Sequence, residues 1–142
     1  MYVVDASVHI SALNPIEAEH PSSRQFLEQI RQRGLTVFEP DILLPEVAAA
    51  VARAFDDSSR GKALAAALRQ VPDFLFIPVD APLADAAAEI AATYRLRGCD
   101  AVYVAVADRH GATLVTLDRQ QLERAAPAVT TLRPADALAQ MA

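Results

Sequence analysis

The chain has 142 residues, 53% of them hydrophobic and 22% charged, with a net charge of −5 and a single cysteine, Cys99. That length points to one domain spanning residues 1–142 with room for a buried core, and the composition excludes a disordered chain or a disulfide scaffold. No apolar run nears the roughly 18 residues of a membrane span, and "MYVVDASVHI" lacks the basic start and cleavage site of a signal peptide. A cytoplasmic protein without a membrane role is expected, and the acidic balance argues against a nonspecific DNA coat.

Short apolar strands alternate with helical stretches along the chain. Tyr2–Asp5 reads as a strand, followed by a helix over Ser7–Leu13 that "NP" closes. A polar loop leads to a helix at about Ser22–Arg33, with Phe26, Leu27 and Ile30 on one face and Gly34 as its stop. "LTVFEP" is a second strand. "DILLPEVAAAVARAF" is a helix, with Asp41 as its cap or a true start nearer Leu44, since Pro45 suits a first turn. A helix over Ser59–Gln70 and the strand "FLFIPV" come next. Asp80 and Pro82 open an alanine-rich helix that is expected to end at Gly98. The pattern then predicts a helix from about Asp100 to His110, a stop at Gly111 and the strand "TLVTL". A short helix around Gln120–Ala125, a weak strand "AVTTL" and a helix over Pro134–Met141 complete the chain. The alternation predicts an α/β fold: a mainly parallel, five-stranded sheet flanked by helices on both faces.

In such sheets ligands bind beyond the carboxyl ends of the strands. The first strand ends in Asp5 and the fourth in Asp118. The helix that Asp100 opens runs antiparallel to the strand it feeds. About 11 helical residues at 1.5 Å span nearly the length of five strand residues at 3.3 Å, so Asp100 returns to the same edge. Glu46 lies in the first turns of the helix after the second strand, on an otherwise apolar stretch. Four acids from distant positions are therefore expected at one place. Two carboxylates about 4 Å apart repel by about 4 kcal/mol at an effective dielectric of 20, and a hard, oxygen-seeking cation such as Mg²⁺ or Mn²⁺ relieves that repulsion. His9, His20 and His110 are scattered and Cys99 is alone, which disfavours zinc.

Each acid has a plainer reading beside the functional one. Asp5 or Asp100 can cap a helix, Glu46 can be a solvated helical residue and Asp118 a turn residue. The hydroxyls of Ser7 and Thr116, beside Asp5 and Asp118, either support the site or bond the local backbone. Tyr103 reads as core rather than as a base-stacking platform.

Taken in order, "VVDASV" (Val3–Val8), "LLPEVAAAVAR" (Leu43–Arg53) and "CDAVYVAVADRHGATLVTLD" (Cys99–Asp118), trailed by "QQL", resemble the PIN domain, and within it the VapC-type toxin nucleases of toxin–antitoxin pairs. The resemblance covers essentially the whole chain. It implies a Mg²⁺- or Mn²⁺-dependent ribonuclease whose acidic site is Asp5, Glu46, Asp100 and Asp118. Asp5, Asp100 and Asp118 would ligate the metal, and Glu46 would ligate or orient water. It also implies a homodimer and a small cognate antitoxin that holds the nuclease inactive. Where some members carry a further acid, this chain has Arg119, Gln120 and Gln121. Arg95, Arg97 and Arg119, close in sequence to the acids, are the expected contacts for RNA phosphate, with Arg53 ranked behind them.

Two other classes compete. A PIN-fold RNA-processing nuclease without a toxin role, or a non-catalytic RNA-binding module, would share the fold; the full acidic set weighs against the second. An aspartyl-phosphate enzyme would want an aspartate at Ser7 and a partnering lysine. The only lysine, Lys62, sits in a polar helix away from the expected edge.

Overall fold

In the computed structural model, which describes residues 1–142, five short strands form one sheet. They are Tyr2–Val4 (β1), Val37–Pro40 (β2), Phe74–Ile77 (β3), Thr113–Val115 (β4) and Thr131–Leu132 (β5). All pairings are parallel and the spatial order is β3-β2-β1-β4-β5. Parallel neighbours need crossovers, and eight helices supply them. These are Ala6–Leu13 (α1), His20–Arg33 (α2), Leu43–Phe55 (α3), Ser58–Arg69 (α4), Ala81–Tyr94 (α5), Gly98–His110 (α6), Arg119–Ala125 (α7) and Pro134–Met141 (α8).

Strand alternation divides the core between the two faces of the sheet. Val3 and Leu114, paired in register, point to one face with Leu43, Val47, Leu83 and the body of α6. Val4 and Val115, the next pair, point to the other with Val8, Phe26, Ile30 and Ala137. Helix α6 is apolar almost all round, as a helix packed on several sides must be; it lies against β1, β2 and β4 and buries Ala101 and the run Tyr103–Ala107. Helix α4 packs so closely on α3 that a methyl group at Gly61 would run into the Ala48 carbonyl. No helix is long and apolar enough to cross a membrane.

From β1 the chain winds outward through β2 to β3, then returns across the sheet to place β4 on the other side of β1. The connections leaving β1 and β4 therefore diverge, and a crevice opens where their carboxyl ends lie side by side.

The expected α/β architecture is the one observed, and the differences lie at element ends. The first strand stops at Val4 and the fourth at Val115, so Asp5 and Asp118 do not close strands. Each instead caps a helix: the Asp5 carboxylate accepts from the Ser7 N–H at the start of α1, and that of Asp118 from the Gln121 N–H at the start of α7. Helix α5 ends before Gly98, at Tyr94, with Arg95 in the left-handed conformation (φ 55°), and Gly98 begins α6. Asp100 consequently lies inside the first turn of α6 and is not its cap. Asp41 does not cap α3 either, because the residue before that helix is Ile42.

Candidate active site

The crevice between β1 and β4 is a cavity of about 660 Å³ whose lining includes Asp5, Glu46, Asp100 and Asp118. The acids named from the sequence thus come together at one edge, each on its own element.

Asp5 follows β1 and is 6% exposed. Its Oδ2 accepts from the Ser7 N–H at 3.1 Å and from the Thr116 hydroxyl at 3.4 Å. Thr116 Oγ1 in turn accepts from the Asp118 N–H at 3.0 Å, so one hydroxyl ties the turn after β4 to the carboxylate after β1. The Ser7 hydroxyl accepts from the Leu117 N–H at 3.1 Å and so holds the turn after β4, while the Ser7 N–H and side chain both act on the Asp5 carboxylate.

Asp100 is 7% exposed at the start of α6. Glu46 comes from α3, half-buried, with its Oε1 accepting from the Tyr103 hydroxyl at 2.9 Å. Tyr103 is wholly buried, so a core residue of α6 sets the position of an acid on α3. The isolated sequence offered no sign of this, because Tyr103 falls in a run of core residues. Asp118 Oδ1 is engaged by the Gln121 N–H at 2.8 Å, and the Gln121 side chain donates to the Asp100 carbonyl at 3.2 Å.

The electrostatics follow from this crowding. Burial pushes the Asp5 carboxyl above its ordinary range; the hydrogen bonds from Ser7 oppose this and the charges of Asp100 and Asp118 add to it. Burial likewise raises Glu46, against the Tyr103 hydrogen bond, and raises Asp100, against Arg97. The Cys99 thiol, at the exposed start of α6, is pushed up by partial burial and then by Glu46 and Asp100, and stays protonated.

Of the arginines, Arg97 and Arg53 line the cavity. Arg97 donates from Nε to Asp100 Oδ2 at 2.9 Å and from Nη2 to Asp118 Oδ2 at 2.8 Å. Arg119 instead extends into solvent, 85% exposed and paired with Glu123. Arg95 is exposed and does not line the cavity, and its carbonyl accepts from Arg124. Nearness in sequence to the acids was a poor guide to these two. Arg53, ranked last from the sequence, lies two helical turns beyond Glu46 on α3, and its i, i+7 spacing puts it on the same face.

Oxygen donors alone line the pocket as potential ligands, and no histidine does. That donor set fits a hard divalent cation such as Mg²⁺ or Mn²⁺ and does not fit zinc. As the side chains stand, no three of the acids gather closely enough to share one ion. The Arg97 guanidinium stands between two of them.

The PIN domain family matches residues 2–127 of the chain. None of the curated proteins matches it by sequence. Among solved structures, VapC20 of Mycobacterium tuberculosis, a toxin that cleaves the sarcin–ricin loop, superposes with a TM-score of 0.72 at 21% identity, over 85% of this chain and 92% of that one. The FitAcB structure from Neisseria gonorrhoeae gives 0.69 at 25% identity, over 94% and 98%. VapBC2 of Rickettsia felis, bound to a fragment of its promoter DNA, gives 0.67 at 16% identity, over 92% and 96%. With a family match that spans nearly its whole length and a parallel five-stranded sheet carrying the acids at its carboxyl edge, the chain belongs to the PIN domain family.

Proposed function

We propose that this protein is a divalent-metal-dependent ribonuclease and the toxin of a toxin–antitoxin pair. The observation that carries the nuclease reading is the convergence of Asp5, Glu46, Asp100 and Asp118 on one cavity at the carboxyl ends of β1 and β4. Asp5, Glu46 and Asp100 have raised proton affinities, and the one guanidinium bonded within the cluster, Arg97, does not match four acids; such an imbalance is destabilising and a functional site explains it. Asp5, Asp100 and Asp118 would hold Mg²⁺ or Mn²⁺. The cation would supply a more acidic water and offset negative charge on the phosphate in the transition state.

The chain's own residues do the rest. Thr116 and Ser7 fix the turn that carries Asp118 relative to Asp5. Tyr103 holds Glu46 by one oxygen, which leaves the other to accept a proton from an attacking water. Arg53 and Arg97 on the cavity wall neutralise the RNA backbone. The superposition on toxins and toxin–antitoxin complexes supports the toxin role and a cognate antitoxin as partner; a homodimer acting in the cytoplasm completes the proposal.

The test is to incubate antitoxin-free protein with a panel of structured RNAs. EDTA should abolish cleavage and Mg²⁺ or Mn²⁺ should restore it. Cleavage that persists in EDTA, in a preparation free of contaminating nuclease, would overturn the reading. Sedimentation of the isolated chain tests the dimer separately.

A further inference from the structure

We infer that Arg97 is a built-in counter-ion: it clamps Asp100 and Asp118 until a divalent cation displaces it, and it then turns its guanidinium to the RNA backbone. The inference rests on the proposed metal-dependent nuclease reading and adds to it an ordered exchange within the site.

The geometry makes arginine and cation rivals for the same atoms. Arg97 precedes α6 in extended conformation (φ −62°, ψ 150°) and folds its side chain back over the first turn of that helix. One edge of the guanidinium takes Asp100 Oδ2 and Asp118 Oδ2 together, at 2.9 and 2.8 Å. Asp118 Oδ1 already caps α7 through the Gln121 N–H, so Oδ2 is the oxygen it offers to the rest of the site. An ion that Asp118 ligates through Oδ2 therefore competes with Arg97 for that atom. The two Oδ2 atoms also converge, since one rigid planar group reaches both.

The clamp is built to open. The Arg97 side chain is 67% exposed, and exposed ion pairs are weakly held. Asp100 and Asp118 gain more from a doubly charged ion than from a spread single charge. The backbone of Arg97 is fixed at the start of α6, so the displaced side chain stays at the cavity mouth. There its fork of donors matches a phosphate as well as it matched two carboxylates. The metal-free site thereby avoids facing solvent with its acids uncompensated, and the loaded site gains a free arginine when RNA can be cut.

The experiment measures Mn²⁺ affinity by calorimetry for wild type, Arg97→Ala, Arg97→Lys and Arg53→Ala. It is paired with side-chain NMR of arginine Nε–H groups during Mg²⁺ addition. Removal of the clamp should tighten Mn²⁺ binding by about fivefold or more, the lower end of ordinary coupling between sites. Arg97→Lys keeps the charge but cannot bridge both acids, so it should fall between. Arg53→Ala removes a charge from the same cavity without freeing either carboxylate and should tighten binding less than Arg97→Ala. In wild type the Arg97 Nε–H signal should shift and exchange faster as Mg²⁺ binds. In a Glu46→Gln background loaded with Mn²⁺, Arg97→Ala should weaken single-stranded RNA binding. Metal-dependent cleavage with equal or weaker Mn²⁺ binding by Arg97→Ala, or an unmoved Arg97 signal at saturating Mg²⁺, sinks the clamp and leaves the nuclease standing. If neither wild type nor Arg97→Ala binds Mn²⁺, both ideas fall together.

Discussion

Two clusters of buried ionisable groups lie close to each other in this molecule and are treated in opposite ways. His9 on α1 and Glu39 on β2 are fully enclosed and meet at 3.0 Å, Nε2 to Oε1. Burial lowers the His9 imidazole to about 4 and pushes Glu39 well above the usual carboxylate range, so enclosure favours the uncharged form of each. Asp5, Glu46, Asp100 and Asp118, a short distance away, open onto a cavity and carry more acid than their neighbours can match. The charge of Asp5 reaches the closed pair too, favouring the charged ring and the uncharged acid. Full enclosure disfavours charge on His9 and Glu39, and the pair holds the fold. The acids of the cavity wall face a space that water, an arginine or an ion can enter. Burial alone does not mark function; burial with access and without a partner does.

The largest expected effect breaks the open cluster. Asp5→Asn should lower RNA cleavage by roughly 100-fold or more, the scale of losing one charge-stabilising group in an active site. Asparagine still caps a helix. With the self-repulsion relieved, the melting temperature of the metal-free protein should rise by about 2–4 °C, the response of a chain this size to about 1 kcal/mol. A drop in both activity and stability would mean that Asp5 is structural, as Glu39 is.

Breaking the closed pair should give the reverse. Glu39→Ala leaves a buried imidazole without its partner and should cost about 2–3 kcal/mol in urea unfolding, whereas Glu39→Gln keeps a donor for His9 and should cost under about 1 kcal/mol. If Glu39→Gln instead abolished cleavage in a stable protein, the pair would belong to the active site.

Acid should separate the two clusters by sign. The His9 value is lowered from 6.5 to about 4, so the unfolded chain takes up that proton first. The stability linked to it is present above pH 6.5 and lost as the pH falls toward 4. Asp5, Glu46 and Asp100 are raised, so the folded state takes up their protons first. Their linked stability is present at low pH and lost as the pH rises through their folded values. Between pH 7 and 5, His9→Gln should therefore lose about 1–2 kcal/mol less than wild type, and as the pH falls on toward 3.8 Asp5→Asn should lose more than wild type. Equal slopes in urea unfolding of all three proteins would contradict the assignment.

The smallest effect tests the link between core and site. Tyr103→Phe removes the hydroxyl that lowers Glu46, so the Glu46 carboxyl should rise further and the acid limb of the cleavage profile should move to higher pH. Stability should fall by about 1 kcal/mol, the worth of one hydrogen bond. An acid limb that does not move would mean that Glu46 is not the group that titrates it.

The alternation of apolar strands and helices was enough to determine the α/β class by itself, because strand and helix periods are local properties of the chain. The acids were legible for a related reason: a parallel sheet sends every strand to the same edge, so residues just past strands one and four, and at the starts of helices after strands, must meet there. What only the tertiary structure decided is pairing across elements. Asp5, for which the sequence posed cap and site as alternatives, caps α1 and lines the cavity at once, and Asp118, read as a possible turn residue, caps α7 and lines it too. Arg97 and Arg53 line the cavity while Arg95 and Arg119 do not, since placement depends on where each helix begins and on the left-handed turn at Arg95. Tyr103 finds Glu46, and His9 finds Glu39 thirty residues away, only because α6 packs beside α3 and α1 packs on β2. Local patterns carry no information about such partners; packing does, because a buried polar atom takes whatever partner the neighbouring element brings within reach.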